Sequence, residues 1–175
     1  AERLGPRRKR VELLYGPDQN ARWIEHPEGR AVDVVALPLH ETADIKLYPL
    51  DLGLADTQLE TLVGMPVSII GFPFGVDELG EFPIWKTGHI ATEPLWDFRG
   101  RPLFLIDATT RGGMSGSPVV LRRSDGVRLN EAGEFALTSP ESRFLGVYAS
   151  RPSPSLELGN VWKPRVIHEI LAQAV

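Results

Sequence analysis

The chain has 175 residues and a formal net charge of −4 at pH 7, with 42% hydrophobic and 24% charged residues. These values indicate a folded globular chain, and the acidic balance excludes a typical nucleic-acid partner, because phosphate binding requires clustered Lys and Arg. The sequence has no cysteine, which excludes disulfides, thiolate nucleophiles and cysteine-bound zinc. No apolar run approaches the roughly 20 residues of a membrane-spanning helix, so we expect no membrane span.

Short β-like segments alternate with turn signals along most of the chain. Residues 11–15 and 22–26, separated by a Gly-Pro turn, predict a hairpin, and residues 32–39 predict a mostly buried strand with one carboxylate, Asp33. Residues 122–141 are polar and turn-rich, and are interpreted as an exposed excursion. Further strands are predicted at residues 45–50, 66–71, 84–92, 103–107, 117–121 and 143–150. Regular short strands with turns at this spacing favour an all-β barrel or sandwich.

One segment, at the C-terminal end of the sequence, predicts a helix. Pro164 suits the first helical position, because its missing N–H and fixed φ fit there. An apolar stripe follows at helical spacing, formed by Val166, Ile167, Ile170, Leu171, Ala174 and Val175. We expect this helix to cap a barrel.

The residues that can carry chemistry concentrate in the glycine-rich segment 106–120. A serine nucleophile needs an exposed oxygen on a tight turn, with backbone N–H groups directed at the developing oxyanion. Gly112, Gly113 and Gly116 around Ser115 permit the backbone angles of such a turn and leave room for a substrate carbonyl. The alternative interpretation is a glycine-rich hairpin with an ordinary hydroxyl, because short motifs often occur by chance.

The run GMSGSPVV at residues 113–120, preceded by IDATTRG, resembles the nucleophile loop of chymotrypsin-fold serine peptidases, in particular their bacterial trypsin-like and heat-shock-protease-like branch. Other segments resemble the same family in the expected order: residues 32–37 (VDVVAL), 64–73 (GMPVSIIGFP), 87–90 (TGHI) and 144–150 (FLGVYAS). The resemblance covers residues 23–175. Several matched segments in order are more specific than one motif.

The resemblance implies a role for each matching residue. Ser115 is expected to be the nucleophile, Asp33 the buried carboxylate that orients the catalytic imidazole, and the N–H groups of Gly113 and Ser115 the oxyanion hole. Thr109, Thr110 and Arg111 are expected to line the first specificity pocket. The segment Gly146, Val147, Tyr148 and Ala149 is expected to offer a free backbone edge to a peptide substrate.

The sequence departs from the family pattern at the histidine. The family places it upstream of the aspartate in a Thr-x-x-His motif, and no histidine of this chain has a threonine three residues before it. Only His26 precedes Asp33, and we interpret His40, His89 and His168 as ordinary histidines. We therefore expect the catalytic histidine and the first strands of the N-terminal barrel to lie before Ala1.

The sequence thus predicts an all-β, two-barrel trypsin-like fold with an incomplete first barrel and a C-terminal α-helix. Residues 1–58 are the remainder of the first barrel, and residues 59–175 are the second barrel with the helix. The predicted activity is endopeptidase hydrolysis of a peptide or protein substrate through an acyl-enzyme, without metal or cofactor. Two alternatives stay open: a catalytically inactive trypsin fold that binds peptides, and an unrelated β-barrel interaction domain.

Overall fold

A computed structural model describes residues 13–40, 42–43, 47–75, 82–124, 126–129, 133–138, 140–153 and 155–174. The described chain is mostly β, with a closed six-stranded antiparallel barrel and one short C-terminal helix, which confirms the all-β class. The strands are β1 (Ile24–Glu25), β2 (Val35–Ala36), β3 (Pro66–Gly71), β4 (Ile84–Ile90), β5 (Leu103–Asp107), β6 (Pro118–Arg123), β7 (Gly126–Leu129), β8 (Phe135–Thr138), β9 (Glu141–Tyr148) and β10 (Leu158–Trp162); the helix is α1 (Pro164–Leu171).

The barrel has the strand order β10-β5-β4-β3-β6-β9. The strands predicted at residues 66–71 and 103–107 are confirmed residue for residue as β3 and β5. Those predicted at 84–92, 117–121 and 143–150 correspond to β4, β6 and β9, with slightly shifted ends.

Strand β5 is buried on both faces because it separates two apolar clusters. Phe104 and Ile106 point into the barrel interior, where they pack with residues such as Ile69 and Val119. Leu103 and Leu105 point the other way, into a cluster that includes Trp162 and residues of α1. Successive side chains of a strand alternate between faces, so a continuous apolar run is the pattern that such a strand requires.

Helix α1 is confirmed, but it packs on the outer face of the barrel beside β5, whereas the sequence predicts a cap. It begins at Pro164, and its buried residues are Val166 and Ile170. Leu171 and Ala174 are exposed, so the apolar stripe is narrower than predicted; Val175 lies outside the described residues. No helix in the described part of the chain is long and apolar enough to span a membrane.

The N-terminal residues form less regular structure than predicted. The hairpin predicted from residues 11–26 is described only from residue 13 onward, as a bridge between Tyr15 and Ala21 followed by β1. The strand predicted at 32–39 is reduced to β2, which pairs with β1. Residues 47–50 are not in a strand, and residues 45 and 46 lie outside the described range. An incomplete first barrel therefore stays a prediction.

Arg101 connects the N-terminal segment around Ala31 to the barrel through two contacts. Its guanidinium donates to the carbonyl of Ala31 at 2.6 Å and lies over the ring of Trp162, 4.8 Å from the centroid. Val32, the next residue, is buried with Trp162. A hydrogen bond, a cation–π contact and an apolar contact thus fix the segment that leads to Asp33.

Two strand regions were not predicted. The excursion at residues 122–141 contains the β7–β8 hairpin, and β10 closes the barrel between β5 and β9. In β10, Gly159 packs under the ring of Tyr148, and an added Cβ would lie 2.4 Å from the ring. Glycine lowers the strand signal in the sequence, although here it permits the packing.

Candidate functional site

The glycine-rich loop between β5 and β6 is anchored at both ends. The N–H of Phe74 donates to the carbonyl of Gly112 at 2.6 Å, and the N–H of Gly116 donates to that of Tyr148 at 2.8 Å. Met114, in the middle, is fully buried in the barrel core. The chain reverses direction through Gly113 and Gly116, with φ values of 89° and 84° that favour glycine. The loop therefore holds a fixed shape while Ser115 faces solvent.

The hydroxyl of Ser115 is already hydrogen-bonded within the chain. It donates to the carbonyl oxygen of Ala149 at 2.5 Å. A carbonyl oxygen accepts this hydrogen bond but is too weak a base to remove the proton, so the contact does not activate the hydroxyl. Within the described part of the chain, the N–H groups of Gly113 and Ser115 have no hydrogen-bond partner. Unpaired donors beside an exposed hydroxyl are one of the features that an oxyanion site requires; the other is that the donors point at one position.

A cavity of about 460 Å³ brings together four separate parts of the chain. Asp33 and the following residues form one wall, Ser115 and Gly116 a second, and Ile167 and Ile170 of α1 a third. The fourth is formed by Val147, Tyr148 and Ala149, which the sequence predicts to bind substrate. The two principal residues predicted from the sequence thus face one space, although they lie far apart in the chain.

Asp33 is exposed, and it lies between the N-terminal turn and β2 rather than inside a strand. The prediction that it is buried is therefore wrong for the described structure. The physical reason is that β2 pairs with β1 over only two residues, and no further strand of the described N-terminal region covers it. An exposed carboxylate keeps its hydration, so it does not need the internal partner that burial would demand.

All four histidines lie among the described residues, and none lines the cavity shared by Asp33 and Ser115. His26 is buried, but its Nε2 lies 2.6 Å from the carboxylate of Glu169, and its Nδ1 accepts from the N–H of Glu28 at 3.1 Å. Because Nδ1 accepts a hydrogen bond, Nε2 is assigned the ring proton and donates to Glu169. Both ring nitrogens are occupied, so His26 is not placed to act as the base for Ser115.

The predicted specificity residues do not line this cavity. Thr110 is buried, and its hydroxyl pairs with the hydroxyl of Tyr148 at 2.5 Å inside the core. Thr109 and Arg111 are exposed, and the guanidinium of Arg111 donates to the carbonyl of Thr110 at 3.3 Å. Their predicted binding role stays a prediction.

The prediction of a free backbone edge over Gly146, Val147, Tyr148 and Ala149 is wrong in this structure. Val147 lies between Pro118 and Trp162 in the barrel register. The N–H groups of Tyr148 and Ala149 donate to Ser117 and Asn160, at 2.9 and 3.1 Å. These positions are paired with β6 and β10 because the barrel is closed, which leaves no unpaired edge along this stretch.

Sequence reasoning missed the contribution of α1 to the site. Ile167 and Ile170 line the cavity, while Val166 faces the barrel. The apolar stripe predicted on this helix included both isoleucines, but only the fold decides that one edge of the stripe borders Ser115.

The start of α1 is fixed by an ion-pair cluster centred on Asp97. Lys163 donates to its carboxylate at 2.8 Å, and Arg165 forms a second ion pair with it. The hydrogen bond from Lys163, helped by that from Arg165, holds the pKa of Asp97 below its ordinary value of 3.8, against the raising effect of partial burial. This cluster therefore orients the helix that supplies one wall of the cavity.

Within the described ranges, no group of three or more His, Asp or Glu side chains is arranged to hold a metal ion. No protein-family model matches the sequence, and no curated protein matches it.

Proposed function

We propose that this chain carries the nucleophile and the aspartate of a trypsin-like serine endopeptidase. The observation that carries the proposal is the cavity lined by both Asp33 and Ser115, to which the family resemblance assigns the aspartate and nucleophile roles. The unpaired N–H groups of Gly113 and Ser115 add support, because acyl transfer needs donors for the developing negative charge.

In the proposed reaction, the Ser115 oxygen attacks the carbonyl carbon of a peptide bond and passes its proton to an imidazole. The oxyanion accepts hydrogen bonds from the N–H groups of Gly113 and Ser115. Collapse of this intermediate breaks the C–N bond, and the imidazole returns the proton to the leaving amine. Water then hydrolyses the ester on Ser115 by the same proton transfers, which restores the free hydroxyl.

The imidazole must come from outside the 175 residues, because no histidine of this sequence lines the cavity. The proposal places it in the cavity that Asp33 and Ser115 line, where it would accept the Ser115 proton on one nitrogen and donate to Asp33 with the other. Such an imidazole would compete with the carbonyl of Ala149 for the Ser115 proton.

A fluorophosphonate probe, which reacts with activated serines, tests the proposal. We expect rapid labelling of Ser115 in a protein extended upstream, slow labelling of the 175-residue chain, and acceleration of the latter by free imidazole. Ser115→Ala should abolish the label, whereas Ser155→Ala, at an exposed serine outside the cavity, should not. Absence of Ser115 labelling in the extended protein and in the imidazole-treated chain would contradict the proposal.

A second candidate is a peptide-binding module that has lost catalysis. The bond from Ser115 to Ala149 favours it, because the hydroxyl is already satisfied without a base. Under this alternative, the upstream-extended protein binds peptides and releases them uncut.

A further inference from the structure

Tyr148 contacts the loop that carries Ser115 at two points, one near each end of the loop. The carbonyl oxygen of Tyr148 accepts from the N–H of Gly116 at 2.8 Å, and its hydroxyl forms a hydrogen bond with the hydroxyl of Thr110 at 2.5 Å. The side chain therefore runs beneath the loop from one end to the other, and it is only 3% exposed. Tyr148 also borders the cavity that Ser115 and Asp33 line.

The space beneath the loop is filled by side chains of the protein itself. Strand β10 packs directly against the ring of Tyr148, since a Cβ added at Gly159 would lie 2.4 Å from the ring. Met114, in the middle of the loop, is fully buried in the same apolar cluster as Tyr148. Close packing of this kind leaves no room for an additional large side chain.

In the proposed reaction, the chemistry at Ser115 limits where the substrate residue before the cleaved bond can lie. The tetrahedral carbon bonded to the Ser115 oxygen also carries the oxyanion, the leaving amine and the Cα of that residue. The oxyanion faces the N–H groups of Gly113 and Ser115, and the amine faces the imidazole that returns a proton to it. Because that imidazole occupies the cavity on the Asp33 side, the Cα and its side chain are directed towards the loop.

We infer that Tyr148 is a specificity-determining residue that restricts the position before the cleaved bond to glycine or alanine. A side chain larger than a methyl group would need the space beneath the loop that the Tyr148 ring and Met114 occupy. The hydrogen bond to Thr110 and the packing against Gly159 hold the ring in that space. The inference rests on the proposed function, because it places the substrate carbonyl at Ser115.

Peptidyl diphenyl phosphonates that differ only in the side chain next to the phosphorus test the inference. They react with an activated serine, and the series carries the side chains of glycine, alanine, leucine and phenylalanine. Labelling rates of Ser115 are measured on the 175-residue chain with free imidazole and on the upstream-extended protein. We expect the glycine and alanine probes to react about tenfold or more faster than the other two, since one methylene group in a tight pocket changes such rates by about 10–200-fold.

Tyr148→Ala should relax this preference, because it opens the space that the ring fills. The readout is the ratio of the labelling rates with the phenylalanine and glycine probes, so a general loss of reactivity cancels; we expect this ratio to rise by about tenfold or more. Tyr148→Val opens less space but suits a strand, and it serves where the alanine variant does not fold. Tyr148→Phe is the matched control: it loses the bond to Thr110 but keeps the ring, so its ratio should equal that of the wild type.

Three outcomes would overturn the inference. The wild type could react with the leucine or phenylalanine probe as fast as with the glycine probe, a result that needs no variant. The ratio could stay unchanged in the folded alanine or valine variant, or it could rise in Tyr148→Phe, which would exclude the volume of the ring as the cause. The fluorophosphonate result separates the two proposals: labelled Ser115 with rates independent of the side chain refutes only the role of Tyr148, whereas unlabelled Ser115 refutes the peptidase and with it this inference.

Discussion

Replacing His26 by alanine tests whether this residue is structural or catalytic. The side chain is 6% exposed and joins the N-terminal turn to α1 through Glu169. The substitution removes the hydrogen bond to the Glu169 carboxylate, removes the acceptor of the Glu28 N–H, and leaves a space where the ring packed.

The size of the expected loss is set mainly by the two hydrogen bonds. A hydrogen bond to a charged group contributes about 1.5–3 kcal/mol, but the Glu169 side chain is 47% exposed and regains water, so the lower part of that range applies. The Glu28 N–H can also be hydrated, because Glu28 is exposed. We expect a decrease of about 2 kcal/mol in the free energy of unfolding, or a decrease in Tm of about 4–8 °C for a chain of this size.

Thermal unfolding and fluorophosphonate labelling of the same preparations provide the assay. Glu169→Gln is the matched control, because its amide oxygen can still accept from the His26 Nε2–H and should lose less stability. The imidazole-assisted labelling rate of folded His26→Ala should equal that of the wild type. An unchanged Tm together with lost labelling would show that His26 is the base and refute the reasoning from its hydrogen bonds.

Three further changes have defined expected outcomes. Ser115→Ala in the extended protein should reduce peptide turnover by about 10⁴-fold or more with an unchanged circular dichroism spectrum, and retained turnover would exclude Ser115 as nucleophile. The pKa of Asp97 is lowered in the folded state, so its ion pairs with Lys163 and Arg165 stabilise the fold above its ordinary pKa, and this stabilisation is lost as pH falls through the lowered value. Asp97→Asn should therefore be less stable than the wild type at pH 7. Urea unfolding at pH 7 and pH 2 should show that the difference in stability between the two proteins shrinks in acid. Gly146→Ala should lower the free energy of unfolding by about 3 kcal/mol or more, because the added Cβ would lie 1.9 Å from the Trp162 carbonyl oxygen at a φ of 139°. The control Gly112→Ala places its Cβ in open space and should change the free energy of unfolding by less than about 1 kcal/mol. Similar urea midpoints for the two variants would contradict this.

The parts of the fold that the sequence predicts well are those with local signals. Strand β5 is a short apolar run bounded by turn residues, and Pro164 followed by spaced apolar residues begins α1. Strand β10 was missed because its Gly and Asn residues carry little strand propensity, and its pairing depends on β5, far away in the chain.

The same distinction between local sequence signals and long-range packing applies to the candidate site. The glycines around Ser115 predict a tight turn from local sequence alone, and two of them have positive φ. The burial of Asp33 was predicted from its apolar neighbours, but burial depends on which strands cover it, and β1 is too short to do so. Thr110 does not line the cavity because its hydroxyl is buried against that of Tyr148, a contact that depends on packing and not on the motif.

The position of β10 has a consequence for folding during synthesis. This strand pairs with both β5 and β9, so a chain still lacking residues 158–162 has the other five strands as an open sheet with two unpaired edges. Such edges can recruit strands from neighbouring chains, and sheets closed by pairing between distant residues form slowly. A ribosome that stalls before residue 158 would therefore release an aggregation-prone intermediate, and chaperone dependence should decrease sharply once β10 has been synthesised.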